Sequence, residues 1–128
     1  MVVFYDPNRR PPPRTVEEYS AAHHAVLDFG GQGLSTVDVA LKELGLTRRV
    51  VIGVPNASAL GAVVRGTDMI CTMQKSLGAF AFEGLSYCKP PISFGPVQFD
   101  LVWHRRQAGD PMSHWMRELA LRVMLHLT

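Results

Sequence analysis

Cysteine is scarce in this sequence, and its scarcity excludes two classes of small protein. The only cysteines are Cys71 and Cys88, with sixteen residues between them. Such a pair fits neither a disulfide-rich secreted scaffold nor the ligand spacing of a structural zinc site. We therefore expect a reducing, cytoplasmic location and no metal site.

Charged residues are also few, and neither sign dominates. They make up 19% of the 128 residues, whereas about a quarter is usual. Thirteen basic and eleven acidic side chains leave a net charge of +2. That charge is too small and too evenly spread to form the basic stripe with which proteins bind duplex DNA. This sequence alone is not expected to bind DNA.

Long hydrophobic runs are absent. Gly, Pro or Arg interrupts every apolar stretch well before the roughly 20 residues that a membrane-spanning helix requires. The first residues also lack the charged start and apolar run of a secretion signal. We expect neither membrane association nor export, and the length suits one compact domain.

Short apolar strands alternate with helices that carry recognisable start signals. The strands are predicted at 2–5, 24–29, 49–54, 69–73, 85–88 and 97–103, and the helices are predicted to begin at Thr15, at Ser35 or Thr36, at Asn56, at Lys75 and at Asp110. Thr15 and Glu18 have capping-box spacing. Asp110 followed by Pro111 is typical of a helix start. Strands joined through helices predict an α/β fold with a mostly parallel sheet flanked by helices.

Ligands of open α/β sheets bind beyond the carboxyl ends of the strands, where loops lead into helix N-termini. Two segments meet this description. The first is the glycine-rich loop 29–35, and the second is 54–58, in which Asn56 and Ser58 offer polar groups at the start of a helix. A plain flexible turn and a plain helix cap are the alternative interpretations.

Reactive side chains do not form a recognisable catalytic pattern. Neighbouring residues of a strand point to opposite faces, so His23 and His24 cannot bind one metal together. Cys71 is interpreted as a small residue of a buried strand and not as a nucleophile. The sequence has no nucleophile elbow and no nucleotide-binding glycine motif. We expect no catalytic residues and no cofactor; a standalone ligand-binding or hydrolase-like α/β domain is the alternative.

The sequence contains, in this order, the segments Thr15-Val16-Glu17-Glu18-Tyr19, Val37-Asp38 through Leu44-Gly45-Leu46 to Arg48-Arg49-Val50, Val54-Pro55, Thr67-Asp68-Met69-Ile70, Val102-Trp103-His104, and Asp110-Pro111 with Trp115-Met116-Arg117-Glu118-Leu119. Together, these segments resemble the C-terminal effector-binding region of LysR-type transcriptional regulators. The resemblance covers nearly the whole sequence.

The resemblance implies a fold like that of the type II periplasmic binding proteins, in which two subdomains hold an effector between them. Residues 1–14 would be a strand and connector from the first subdomain, 15–96 the second subdomain, and 97–128 a return strand and helix of the first. The winged helix-turn-helix that binds DNA in such regulators has no counterpart in these residues.

The resemblance also favours effector contact over the plain alternatives. The residues it assigns to the effector are Gly31, Gln32, Leu34, Ser35, Pro55, Asn56 and Ser58. The effector is expected to be a small molecule, either a carboxylate or an aromatic compound. Relatives that respond to aromatic acids often carry a bulky ring or a histidine in the second segment. Asn56-Ala57 stands there in this sequence, which disfavours an aromatic effector.

The last helix is predicted to have an apolar face without a partner in these residues. Trp115, Met116, Leu119 and Val123 recur at three- and four-residue steps, so they share one face of a helix. Exposed apolar patches of this kind drive association. We expect a homo-oligomer or, for these residues alone, a poorly ordered end.

Overall fold

The structure is a computed structural model that describes residues 1–31, 35–98 and 100–127. The chain divides into two compact units, Met1–Gly95 and Pro96–Thr128. The strands and helices of the first unit are β1 (Val2–Tyr5), α1 (Val16–Ala21), β2 (His23–Leu27), α2 (Thr36–Glu43), β3 (Arg49–Val54), α3 (Ala57–Val64), β4 (Ile70–Met73), a 3-10 helix (Lys75–Ala79) and β5 (Ser86–Cys88).

The first unit contains a five-stranded sheet in the order β3-β2-β4-β1-β5. Strand β2 pairs in parallel with β3 and with β4, while β1 is antiparallel to both β4 and β5. Four strands therefore run in one direction, and β1 alone opposes them. The predicted α/β fold with a mostly parallel sheet is confirmed.

Strand β1 lies inside this sheet, between β4 and β5. Its residue Phe4 is fully buried and stands opposite Cys71 on one side and Tyr87 on the other. The family resemblance assigned 1–14 to a different subdomain from 15–96, but β1 is part of the same compact unit as the strands that follow. The origin of β1 in another lobe stays a prediction.

Helices α1, α2 and α3 begin at the N-cap residues that were predicted from the sequence. Thr15 and Ser35 each begin a helix through a complete capping box, and the side chain of Asn56 accepts the amide of Ala59 to begin α3. Gly45 follows α2 with a φ of 70°. Only glycine adopts this left-handed conformation without steric cost, so α2 ends there.

The sheet has an apolar core on each face, because successive residues of a strand point to opposite sides. Val3 and Tyr5 pack with Tyr19 of α1 and Leu41 of α2. Phe4 lies in the other core, which also contains the α3 residues Leu60 and Val64 as well as Cys71 and Phe82. The rings of Phe4 and Phe82 stack with their centroids 4.4 Å apart. Helices thus cover both faces, as expected for a largely parallel sheet.

The second unit consists of a 3-10 helix, Arg105–Gln107, and the long helix α4, Pro111–Leu127. The predicted start of α4 is confirmed, since the carboxylate of Asp110 accepts the amide of Ser113 at 2.7 Å. The predicted strand 97–103 is wrong for the residues of this segment that are described, namely 97, 98 and 100–103. The backbone N–H and C=O groups of a strand need a neighbouring strand as hydrogen-bond partner. The described residues of this unit include no strand that could pair with 97–103.

Among the described residues, no helix combines the length and the apolar character needed to cross a membrane.

Candidate functional site

The candidate site lies at the carboxyl ends of β2 and β3. The two strands are parallel neighbours, and their last residues, Leu27 and Val54, stand opposite each other. The chain leaves both strands at one edge of the sheet and enters α2 and α3 after short connections. Phe29, just beyond β2, is 79% exposed. An edge of this kind presents loop amides and helix starts to solvent.

At the end of β3, Asn56 and Ser58 present unused polar groups. The Oδ1 atom of Asn56 accepts the amide of Ala59 at 2.8 Å, so this oxygen is committed to the helix cap. Its Nδ2 atom and the hydroxyl of Ser58 make no hydrogen bond within the described part of the chain. Pro55, Asn56 and Ser58 are all exposed. This segment can therefore donate several hydrogen bonds to a molecule placed against the edge.

At the end of the first loop, by contrast, Ser35 is fully used by the protein itself. Its hydroxyl donates to Asp38 at 2.6 Å and accepts from the Asp38 amide at 3.2 Å and from Arg48 at 2.9 Å. Its own amide donates to the same Asp38 carboxylate at 3.3 Å. An effector could bind the Ser35 hydroxyl only in competition with these bonds.

Arg48 and Asp38 form a bidentate ion pair next to the N-cap residue Ser35. Nε and Nη2 of Arg48 donate to the two carboxylate oxygens at 2.7 and 3.0 Å, and the Arg48 side chain is only 5% exposed. Burial alone would raise the pKa of Asp38, but hydrogen bonds from Arg48 and Ser35 lower it overall. This ion pair was not predicted from the sequence. An aspartate three residues after Ser35 was the available signal.

Gly31, the remaining described residue of the predicted loop site, is exposed. Gln32 and Leu34 lie outside the described residues. Among the predicted site residues that the structure describes, those of 55–58 have more unused side-chain donors than Gly31 and Ser35.

A buried polar cluster lies inside the first unit, and the sequence indicated only part of it. His24 is fully buried, and its Nε2 atom donates to the carbonyl oxygen of Tyr19 at 2.7 Å. Its Nδ1 atom has no hydrogen-bond partner among the described residues. The hydroxyls of Tyr19 and Thr72 lie 2.6 Å apart. Burial lowers the pKa of His24 to about 4, so its ring is neutral at physiological pH.

The neighbouring His23 points to the opposite side of β2, as predicted. Its Nδ1 atom lies 3.1 Å from a carboxylate oxygen of Asp68, and its side chain is 36% exposed. Cys71 is fully buried, and burial raises the pKa of its thiol to about 12. A thiol held in its neutral form is a poor nucleophile. This environment fits the interpretation of Cys71 as a core residue.

No protein-family model matches the chain. Among curated proteins, it is 36% identical over 117 residues to "Nodulation protein D 3" of Rhizobium leguminosarum bv. phaseoli, covering 88% of this chain and 38% of that protein. It is 27% identical over 109 residues to "HTH-type transcriptional activator NahR" of Pseudomonas putida, covering 84% of this chain and 36% of that protein. The chain thus spans less than two fifths of either relative.

Solved structures of transcriptional regulators also match the chain. The regulatory domain of MexT, a transcriptional activator in Pseudomonas aeruginosa, matches with a TM-score of 0.69 and 30% identity, over 91% of this chain and 57% of that one. A putative transcriptional regulator from Vibrio parahaemolyticus matches with a TM-score of 0.78 over 98% of this chain and 61% of that one. At 20% identity, the second match supports the fold alone.

The five-stranded sheet, its covering helices and these structural matches define an α/β domain of the periplasmic-binding-protein-like class. Within that class, the chain resembles the LysR-type transcriptional regulators, since it is similar to a nodulation regulator, to NahR and to the MexT regulatory domain.

Proposed function

We propose that this chain is the effector-sensing part of a LysR-type DNA-binding transcriptional regulator in the cytoplasm, and that a small effector binds against the carboxyl ends of β2 and β3. The observation that supports this site most directly is the set of unused donors at one sheet edge, on Asn56 and Ser58, beside exposed Phe29. The effector would occupy a cleft whose other wall comes from the first subdomain.

The effector class follows from the chemistry of this edge. Amide and hydroxyl donors suit an acceptor-rich, anionic group such as a carboxylate. The carboxylate of Asp28, which follows β2 at the same edge, already accepts the amide of Gly30 at 2.8 Å. An effector that binds one arrangement of the two subdomains more tightly than another shifts the population toward it. In this proposal DNA contact belongs to a winged helix-turn-helix, because the net charge of +2 gives this chain no basic stripe of its own. The relative NahR is named an HTH-type transcriptional activator.

The effector site can be tested by NMR titration of the isotope-labelled chain with acetate, benzoate and other small carboxylates. The amides of 56–58 and of Gly31 and Ser35 are expected to shift together on binding. The variant Asn56→Asp keeps the oxygen that caps α3 but replaces the amide donors by a negative charge. It should weaken carboxylate binding by roughly tenfold or more, which corresponds to the loss of about 1.4 kcal/mol.

The matched control for this test is Ser93→Ala, which removes an exposed hydroxyl elsewhere in the first unit and should leave the affinity unchanged. Ser58→Ala should weaken binding by a few-fold, since one neutral hydrogen bond contributes about 1 kcal/mol. Equal carboxylate affinity in the parent chain and in Asn56→Asp would show that the effector binds elsewhere.

We further infer that the chain forms a homo-oligomer through α4. Trp115, Met116, Leu119 and Val123 are between 37% and 53% exposed, and each would contribute roughly 1.5–3 kcal/mol if fully buried. Substituting both Trp115 and Leu119 by glutamate should weaken association by about a hundredfold or more, as measured by analytical ultracentrifugation.

The matched control for the oligomer is His114→Glu, which adds a negative charge at an exposed position next to Trp115. If His114→Glu dissociates the oligomer as strongly as the double substitution, then charge and not the apolar face controls assembly. A chain that is monomeric at concentrations of about 100 μM would contradict the proposal, since burial of these side chains should give tighter association.

A further inference from the structure

A surface hollow lies at the other end of the strands from the candidate effector site. It is a surface groove of 590 Å³ beside the amino end of β2, lined by the connector that follows β1, by α1 and by Asp68. His23, the first residue of β2, forms part of its wall. Parallel strands have their amino and carboxyl ends at opposite edges of a sheet, so this groove is separate from 55–58.

The acidic groups of the groove are already engaged by the protein. An oxygen of Glu18 accepts the backbone amides of Arg14 at 2.7 Å and of Thr15 at 3.3 Å, and these bonds lower the pKa of Glu18. Both carboxylate oxygens of Asp68 lie within 3.3 Å of Nδ1 of His23. Each carboxylate thus already has a polar partner within the protein.

The arginines of the groove retain unused donors. Arg10 is fixed in place, because its Nε donates to the carbonyl of Pro11 and its Nη1 to the carbonyl of Asp68, both at 3.1 Å. Its Nη2 atom has no hydrogen-bond partner in the part of the chain that the structure describes. The same holds for the whole guanidinium of Arg14, which is exposed. Within the described residues, the two arginines thus retain donors that an acceptor-rich group in the groove can use.

The rest of the lining is compact and apolar. Pro11 and Pro12 form one side, and Ala21 and Ala22 of the α1 end form another. Proline rings are rigid, and alanine side chains lose no rotamer freedom when they are covered. These surfaces are therefore suited to contact a small apolar group without an entropic cost of ordering side chains.

We propose that this groove binds a small organic monocarboxylate whose compact apolar part lies against Pro11, Pro12, Ala21 and Ala22 while its carboxylate pairs with Arg14 and the free donors of Arg10. The planar guanidinium can bind both carboxylate oxygens at once. Because the groove is open to solvent, its dissociation constant should be on the order of 1 mM. The binding should also weaken at high salt, since exposed charges are screened.

The experiment is a two-dimensional NMR titration of the full chain with cyclohexanecarboxylate as the probe. The amides of Arg10, Arg14, 21–23 and Asp68 are expected to shift, and the dissociation constant should rise roughly tenfold in Arg14→Gln. Acetate, which has the charge but no apolar body, should bind several-fold more weakly. Cyclohexylamine, which has the body but the opposite charge, should not shift these signals.

The matched control is Arg9→Gln, which removes an exposed arginine of the same connector that does not line the groove. It should bind the probe as the parent chain does. Three outcomes would overturn the proposal: no shift at groove residues up to about 20 mM probe, equal affinity in Arg14→Gln, or an equal response to cyclohexylamine. Shifts at 56–58 alone would also reject the groove while supporting the separate effector site, so the two proposals fail independently.

Discussion

Gly61→Ala is expected to lower the free energy of unfolding of the first unit by about 3 kcal/mol. A methyl group built on Gly61 would lie 1.9 Å from the carbonyl oxygen of Ala81 and 2.9 Å from its carbonyl carbon. These atoms belong to the backbone, so no side-chain rotation relieves the contact. Helix α3 would have to move away from Phe82, which is fully buried in the same core.

The expected loss is a net value, because alanine is intrinsically better than glycine inside a helix by about 1 kcal/mol. Ala62→Gly provides the matched control, since Ala62 is the next residue of α3 and is exposed. Ala62→Gly should lower the free energy of unfolding only by this difference in helix propensity, about 1 kcal/mol. Urea unfolding, followed through NMR signals of Met1–Gly95, measures both variants. A Gly61→Ala protein as stable as the parent chain would show that α3 does not approach Ala81 this closely.

Features encoded by adjacent residues could be predicted from the sequence. Thr15, Ser35, Asn56 and Asp110 each begin a helix because a short polar side chain binds an amide two or three residues ahead, and that relation is visible in the sequence. The parallel neighbours β2 and β3 followed from strands joined through a helix. The candidate edge at Asn56 and Ser58 was found by the same logic.

Features that depend on distant contacts could not be predicted in this way. Gly61 looks like a weak helix residue in the sequence, and only the packing of α3 on Ala81 reveals why a side chain does not fit. The pairing of Arg48 with Asp38 required the return of the chain beside α2. The segment 97–103 has strand-like composition, but composition does not supply a neighbouring strand, and its described residues form none.

The buried ring of His24 makes stability depend on pH, and the sign follows from its lowered pKa. Burial is the main cause that lowers the folded-state pKa from 6.5 to about 4, and the hydrogen bond to Tyr19 offsets this in part. Above pH 6.5 the ring is neutral in both the folded and the unfolded chain. Between about pH 6.5 and 4, the unfolded chain takes up a proton that the folded chain does not, so stability falls with falling pH.

The free energy of unfolding should fall by roughly 3 kcal/mol between pH 7 and pH 4 through His24, because each unit of pKa difference contributes about 1.4 kcal/mol. Carboxylates with lowered pKa values, such as Asp38, lose their contribution as the pH falls below their ordinary range near 4. Their effect therefore lies mostly at lower pH than that of His24. Unfolding measured between pH 7 and 4.5 isolates the histidine contribution.

His24→Gln tests the assignment, since glutamine can still donate to the Tyr19 carbonyl but does not titrate. Its stability at pH 7 should be lower, because the aromatic contact with Tyr19, at 4.8 Å between ring centroids, is lost. Between pH 6.5 and 4.5, however, its stability should be nearly constant. His23→Gln is the matched control, and it should retain the pH dependence because His23 is partly exposed. If the free energy of unfolding of His24→Gln falls as steeply with pH as that of the parent chain, another group takes up the proton. The buried neutral ring of His24 would then not cause the pH dependence.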